Sequence, residues 1–137
     1  MWGIPAARMK AKKEHRVPLS PRCLESLAEA KKLTGTLPLI FCHLKSKNEF
    51  SDAVFTSMLH KGLGVPYTMH GFRSSFRDWS SECTDDPDEA CAAALAHVIE
   101  SKVEAAYRRG DLFEKRRSLM ADWAACLESA IEAEASA

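Results

Sequence analysis

Hydrophobic and polar positions divide the chain into a short alternating stretch and a longer part with helical spacing. At the start, "WGIPAARM" and "RVPLS" alternate in part and flank the charged connector "KAKKEH", which predicts a β-hairpin with a long loop. Beyond Ser20, apolar residues recur at steps of three and four, the spacing of one helix face. The pattern predicts an α+β fold that is mostly α-helical, with one N-terminal β-hairpin and about six helices.

Capping residues, prolines and glycines place the ends of the helices. In the third helix we expect Phe72, Phe76 and Trp79 to form one buried stripe. The residues of the second helix expected to point inward are Val54, Phe55, Met58 and Leu59. The predicted helices begin at Pro21, at Ser51, at Thr68 or His70, at Pro87 with Asp86 as its cap, at Ser101, and at Asp111.

The last helix is predicted to be the longest. Asp111 and Glu114 form a capping-box-like pair at its start. Its end, residues 128–137, is rich in Ala and Glu and is expected to fray. Residues 1–137 are expected to form a single domain or part of one. The apolar stripe of this helix, which Arg116 interrupts, consists of Phe113, Met120, Trp123, Leu127 and Ile131.

Charge is balanced over the 137 residues but segregated along them. The chain holds 19 basic and 19 acidic residues, so net charge argues neither for nor against a nucleic-acid partner. Residues 1–35 contain eight Lys or Arg against three Glu, residues 82–90 contain five acids and no base, and residues 107–117 are basic again. This distribution predicts one basic face on a neutral protein.

Cysteine usage and hydropathy indicate the compartment. The five cysteines are widely spaced without a CxxC motif, which is typical of reduced thiols in the cytoplasm. No apolar run approaches the roughly 18 residues of a membrane span, and "MWGIPAARMKAKK" lacks the apolar core of a signal peptide. We therefore expect a cytoplasmic protein with no membrane partner.

The segment "HGFRSSFRDW" carries a second row of side chains beside its aromatic stripe. His70 and Arg73 are three residues apart and so are neighbours on a helix surface. Taken alone, this short pattern most simply describes a surface pair with no task. His97 and Tyr107 follow later, and a histidine at a helix end or a tyrosine at a core rim is equally ordinary. Their order along the chain is more specific than any one of them.

Four phrases, "RMKAKKEHRVPLS", "HGFRSSFRDW", "LAHVIESKVEAAYRRGD" and "LFEKRRSLMADWA", resemble the tyrosine recombinases, or phage integrases, of prophages and genomic islands. The resemblance covers residues 2 to about 127. It implies the C-terminal part of a tyrosine recombinase catalytic domain. It further implies site-specific cleavage and rejoining of double-stranded DNA in the bacterial cytoplasm, without metal or other cofactor. For the full-length protein it implies a homo-oligomer, a tetramer, on DNA.

The resemblance also implies which residues react. Tyr107 would attack a DNA phosphodiester, form a 3′-phosphotyrosyl bond and release a 5′-hydroxyl. Arg73 would bind the phosphoryl oxygens with its planar guanidinium. His97 would donate a further hydrogen bond to the phosphoryl group, and His70 would move the tyrosine proton.

The lysine of the family pattern lies in the hairpin. Lys10 precedes "VPL" at the matching distance and would protonate the leaving oxygen, with Lys12 and Lys13 as alternatives. The acidic stretch 82–90 is expected to face away from DNA. The basic residues expected along the DNA backbone are Lys12, Lys13, Arg16, Arg108 and Arg109.

One part of the family pattern has no counterpart in the sequence. Relatives carry a first catalytic arginine upstream of the hairpin, and Arg8, the only arginine before Lys10, does not match its place. We therefore expect impaired catalysis. The alternative is a non-catalytic integrase remnant that folds or binds DNA without cutting. A third hypothesis, a small helical interaction module, predicts that the candidate residues lie on unrelated faces.

Overall fold

The computed structural model describes residues 1–97 and 110–136. The chain divides into two compact units, one formed by Met1–Ser20 with Phe76–Ala137 and the other by Pro21–Ser75. The predicted α+β class is confirmed, because the described residues are mostly helical and contain one two-stranded antiparallel sheet. Their five α-helices are α1 (Pro21–Thr34), α2 (Asp52–Ser57), α3 (Met69–Cys83), α4 (Asp88–Ala94) and α5 (Phe113–Ala135). The helix predicted from Ser101 lies outside the described residues.

The predicted β-hairpin opens the first unit, with short strands and a long connection. Pro5 follows the first strand and, because it has no N–H, cannot donate a hydrogen bond to a neighbouring strand. A single 3₁₀ turn, Ala6–Arg8, comes next. The strands are β1 (Trp2–Ile4) and β2 (His15–Val17), paired antiparallel with Trp2 opposite Val17, Gly3 opposite Arg16 and Ile4 opposite His15.

Helix α1 has the boundaries that its sequence predicts. Pro21 occupies the first helical position, where a missing N–H costs nothing. At the other end Gly35 takes the left-handed conformation, with φ of 57°, and its N–H donates to the carbonyl of Lys31 at 2.8 Å. A glycine serves here because it has no Cβ to clash in that conformation.

The second predicted helix changes its winding halfway. Helix α2 passes into a π-helical turn, Met58–Gly62, in which the N–H of Leu63 donates to the carbonyl of Met58 at 2.9 Å. A π turn holds more residues than an α turn, so the three- and four-residue spacing of inward positions no longer applies. Leu59 is buried as expected, but the prediction for Met58 is wrong, since it is 50% exposed.

The starts of α4 and α5 also differ from prediction. Helix α4 begins one residue late, with Pro87 as its cap. At α5 the predicted capping box is absent, because both carboxylate oxygens of Asp111 bind Arg16 and Glu114 pairs with Arg117 instead. One Asp111 oxygen still accepts the Phe113 N–H, at 3.3 Å.

The core of the first unit joins three helices. Phe76 from α3, Ala90 and Cys91 from α4, and Leu119 from α5 are buried together. Trp123 packs beside this cluster, with its ring centroid 4.9 Å from that of Trp79 and 5.7 Å from that of Phe76. Large aromatic surfaces held at these distances contribute beyond their buried area.

The apolar stripe predicted for α5 is only partly buried. Met120 and Trp123 pack against the core, whereas Leu127 and Ile131 are exposed. Among the described residues of this unit, the two largest fully buried side chains are Leu119, which the predicted stripe leaves out, and Arg116, which interrupts that stripe.

The second unit buries little of its apolar surface. Only Thr34, Cys42 and Leu59 are buried within it. Phe72, predicted on the inward stripe of α3, is 51% exposed. The helical spacing of Phe72, Phe76 and Trp79 is as expected, but burial also requires a neighbouring surface, which spacing does not supply.

Candidate functional site

The hairpin loop presents three lysines to solvent. Lys10, Lys12 and Lys13 are all exposed and follow the 3₁₀ turn. The N–H of Lys12 donates to the carbonyl of Met9 at 3.0 Å, and Lys12 has a positive φ of 53°. The loop therefore turns sharply between Lys10 and Lys13, and their long flexible stems give each ammonium a wide reach.

His70 and Arg73 lie on the first turns of α3, in the second unit. The Thr68 hydroxyl accepts the N–H of Gly71 at 3.0 Å and so caps the helix. The cap starts the helix at Met69 and leaves His70 in its first turn. Both candidate side chains are exposed and adjacent along the helix surface, as their three-residue spacing predicts.

His97 follows a tightly closed helix end. After α4, the N–H of Ala96 donates to the carbonyl of Ala93 at 3.1 Å, and the N–H of His97 donates to the carbonyl of Ala92 at 2.9 Å. This is the paired hydrogen-bond pattern of a Schellman motif, with Ala96 in the left-handed conformation, φ 54°. The motif sets the direction in which the chain leaves α4 at His97.

Replacing Ala96 by glycine is expected to stabilise the protein. An L-residue with a Cβ pays roughly 1–2 kcal/mol in the left-handed region, partly offset by the larger entropy that glycine loses on folding. We expect Ala96→Gly to raise the free energy of unfolding by about 0.5–1 kcal/mol, measured by urea denaturation. Ala93→Gly, inside α4, is the matched control and should lower it by up to about 1 kcal/mol. Equal shifts of the two variants would contradict the assignment of the motif.

A polar cleft of about 160 Å³ borders His97 in the first unit. Arg77, Ser81 and Asp88 are among its other lining residues. An arginine and a histidine beside a carboxylate can bind a polar group of mixed charge. Arg77 was not among the predicted site residues, although its position four residues after Arg73 was a visible signal.

A cluster of charged groups joins the hairpin to the start of α5. The Arg16 guanidinium binds Asp111 through two hydrogen bonds, Nε to Oδ2 at 2.9 Å and Nη2 to Oδ1 at 2.8 Å. Arg116 donates to the backbone carbonyl of Asp111 at 3.0 Å and to that of Arg16. The Arg16 guanidinium also lies 4.4 Å from the centroid of the Phe113 ring. We call Arg16, Asp111 and Arg116 the arginine–aspartate cluster.

The cluster perturbs several protonation equilibria. The hydrogen bond from Arg16 lowers the pKa of Asp111 below its ordinary value, and burial lowers the pKa of Arg116. Burial, and next the positive charge of Arg116, lower the pKa of His15. The carboxylate is thus held ionised between two guanidinium groups, while the neighbouring imidazole favours its neutral form.

Acid is expected to destabilise the first unit, beginning with His15. Its folded pKa lies below its ordinary 6.5, so the unfolded chain binds more protons and stability falls as the pH drops below that value. The contribution of Asp111 persists to lower pH and is lost as the pH falls through its depressed pKa. Urea unfolding of wild type and His15→Gln between pH 8 and 5 measures the first effect. An identical slope in the two proteins would contradict it.

Three of the predicted site residues belong to the part of the chain that the structure does not describe. Tyr107, Arg108 and Arg109 lie outside the described residues. Lys10 and His97 belong to the first unit, whereas His70 and Arg73 belong to the second.

In the described ranges, no helix combines the length and apolarity needed to cross a bilayer.

Comparison with known proteins finds integrases along nearly the whole chain. A prophage integrase, IntA of Escherichia coli K12, is 39% identical over 131 residues, which is 94% of this chain and 32% of the relative. The integrase of Enterobacteria phage P4 is 30% identical over 93% of this chain and 33% of its own length. That of Shigella phage Sf6 is 28% identical over 93% of this chain and 34% of its own length. No family model and no solved structure matches.

Proposed function

The chain belongs to the phage integrase family, and from that membership we propose that it acts in site-specific recombination, cleaving and rejoining DNA through a phosphotyrosyl bond. The observation that carries the proposal is the 39% identity to a prophage integrase across 94% of the chain. The chain spans about a third of the length of these relatives. The reaction is therefore proposed for the third of the relatives' length that this chain matches.

Tyr107 is the proposed nucleophile. Its oxygen attacks the phosphorus of a DNA phosphodiester, and the bond between phosphorus and the 5′ bridging oxygen breaks. The 3′ phosphate stays on the tyrosine. A free tyrosine has a pKa of about 10, so its proton must leave during attack at neutral pH. The phosphotyrosyl bond conserves the energy of the broken linkage, and the 5′-hydroxyl of another strand can reverse the step.

Arg73, His97 and His70 are proposed to serve the phosphate and the tyrosine proton. Negative charge gathers on the phosphoryl oxygens in the transition state, and fixed donors stabilise it. The guanidinium of Arg73 donates two parallel hydrogen bonds, and His97 donates one more. His70, one helical turn before Arg73, takes the proton of Tyr107. The exposure of His70 and Arg73 on one helix supports this assignment.

Lys10 is the proposed acid for the leaving group, with Lys12 and Lys13 as alternatives. The departing 5′ oxygen needs a proton, and an ammonium on an exposed loop can deliver it. Lys12, Lys13, Arg108 and Arg109 are proposed to bind backbone phosphates, which makes the affinity salt-dependent. Arg16 was expected among these contacts, but any phosphate it binds must compete with Asp111.

A second function is DNA binding without cleavage. It is favoured by the lack of a counterpart to the family's first catalytic arginine within these 137 residues. Removing one preorganised donor from a charged transition state typically costs about 10²–10³ in rate. We therefore expect slow cleavage by this chain, which requires single-turnover measurement over hours.

Covalent trapping on nicked DNA tests the proposed function. Duplexes with randomised sequence around a nick and a 5′ label on the cleaved strand are incubated with the chain and resolved under denaturing conditions. Cleavage near the nick releases a short fragment, so the labelled strand stays on the protein. We expect a labelled adduct. Salt-sensitive binding of the duplex with no adduct would reject cleavage in favour of the second function.

A further inference from the structure

Arg116 is a charged side chain in a fully buried position. It is 1% exposed, one of the two largest fully buried side chains in the described part of the chain. Removing a guanidinium from water is costly, and replacing buried ion pairs by apolar residues of similar size is often neutral or stabilising. A buried arginine is therefore explained better by what it holds in place than by the stability it adds.

Arg116 holds two distant stretches of backbone. Its guanidinium donates to the carbonyl of Asp111 at 3.0 Å and to the carbonyl of Arg16. The side chains of the same two residues are joined by the bidentate pair between the Arg16 guanidinium and the Asp111 carboxylate. Backbone and side chain are thus linked at both positions, which are 95 residues apart in sequence.

The two linked positions are close in sequence to the proposed acid and nucleophile. Arg16 follows Lys10 by six residues, and Asp111 follows Tyr107 by four. Arg16 lies in β2, the strand that follows the lysine loop, and the cluster ties this strand to the start of α5. The arm of the hairpin that leads out of the lysine loop is thereby anchored.

We propose that the arginine–aspartate cluster positions the lysine hairpin for proton delivery to the leaving oxygen, with Arg116 as its positioning residue. The inference rests on the proposed function. Misplacing a reacting group by about 1 Å can cost about 10²-fold in rate. Loosening the cluster should therefore slow cleavage by about ten- to a hundred-fold, while DNA affinity changes by less than about twofold because no phosphate contact is lost.

The main test variant is Arg116→Met, which keeps an unbranched apolar chain in the buried space but has no donors. The matched control is Arg117→Met on the next residue, whose side chain is 66% exposed and forms a surface pair with Glu114. Both variants, with wild type, are assayed for single-turnover adduct formation on a duplex selected from the randomised pool. Thermal unfolding confirms that each is folded.

A sulfur leaving group distinguishes a positioning role of Arg116 from a purely structural one, because only a defect in proton delivery is relieved when the leaving group needs no proton. In a duplex whose 5′ bridging oxygen is sulfur, the departing group is a thiolate, which needs little protonation because thiol pKa values are near 8.5. If the cluster positions Lys10, the slow cleavage by Arg116→Met should return to within about threefold of wild type on this duplex. Lys10→Ala should be restored in the same way.

The outcomes separate this inference from the proposed function. No adduct from wild type on either duplex rejects the proposed function and the positioning role together. A wild-type adduct with undiminished cleavage by folded Arg116→Met rejects the positioning role alone, as does a slow variant that sulfur does not restore. Should Arg116→Met fail to fold, Asp111→Asn weakens the pair with Arg16 and keeps the carbonyl bonds of Arg116, and the same loss and recovery are expected.

Discussion

Tyr107→Phe is expected to abolish the covalent protein–DNA adduct completely. The phenylalanine ring keeps the size of the side chain but has no oxygen to attack phosphorus, so no phosphotyrosyl bond can form. Salt-sensitive binding of the duplex should persist, because phosphate contacts by lysine and arginine are unaffected. The measurement is the labelled adduct under denaturing conditions, together with noncovalent binding in parallel.

Tyr67→Phe is the control for this prediction. Tyr67 is the only other tyrosine of the sequence, and it is 62% exposed. Its variant should form adduct at the wild-type rate. An adduct that survives Tyr107→Phe, or one that disappears in both variants, would contradict the assignment of the nucleophile.

Leu119→Ala is expected to lower the free energy of unfolding by about 3–4 kcal/mol, because Leu119 is fully buried at the centre of the first unit. The truncation loses the transfer free energy of the removed carbons and leaves a cavity among Phe76, Ala90 and Cys91. Most single domains have a total stability of about 5–15 kcal/mol, so this loss is large. Urea denaturation followed by circular dichroism measures it.

Leu127→Ala provides the comparison on the same helix. Leu127 was predicted in the buried stripe but is 44% exposed, so its truncation should cost less than about 1 kcal/mol. Helix propensity changes little between leucine and alanine, which leaves burial as the difference between the two variants. Equal destabilisation by both would mean that Leu119 is not a centre of the core.

The order of elements was predictable because it depends on short-range chemistry. Pro21 and Gly35 bound α1 through backbone preferences that any neighbouring sequence would respect. The hairpin followed from two partly alternating runs around a charged loop. The candidate residues follow from the resemblance of four sequence segments to the phage integrases, and that family is the one the comparisons show. Their assembly into one reacting site remains a prediction.

The predictions that the structure contradicts concern residues whose environment is formed by segments distant in sequence. Asp111 and Glu114 have the spacing of a capping box, but Arg16 offers Asp111 two charge-assisted hydrogen bonds, which outweigh a local cap. The predicted stripe of α5 contains apolar residues alone, so it has a gap at the polar Arg116, which is nevertheless buried. Phe72 has the right spacing for a buried stripe and is nevertheless half exposed.

The sequence by itself determined the order of the hairpin and the described helices, which chemical groups the chain carries and in what order they occur. Only the tertiary structure decided that Leu119 rather than Leu127 lies at the core, and that Arg116 is enclosed between Arg16 and Asp111. The physical reason is that caps and helical faces are set by neighbours within a few residues. A guanidinium is buried only where acceptors from distant segments meet around it.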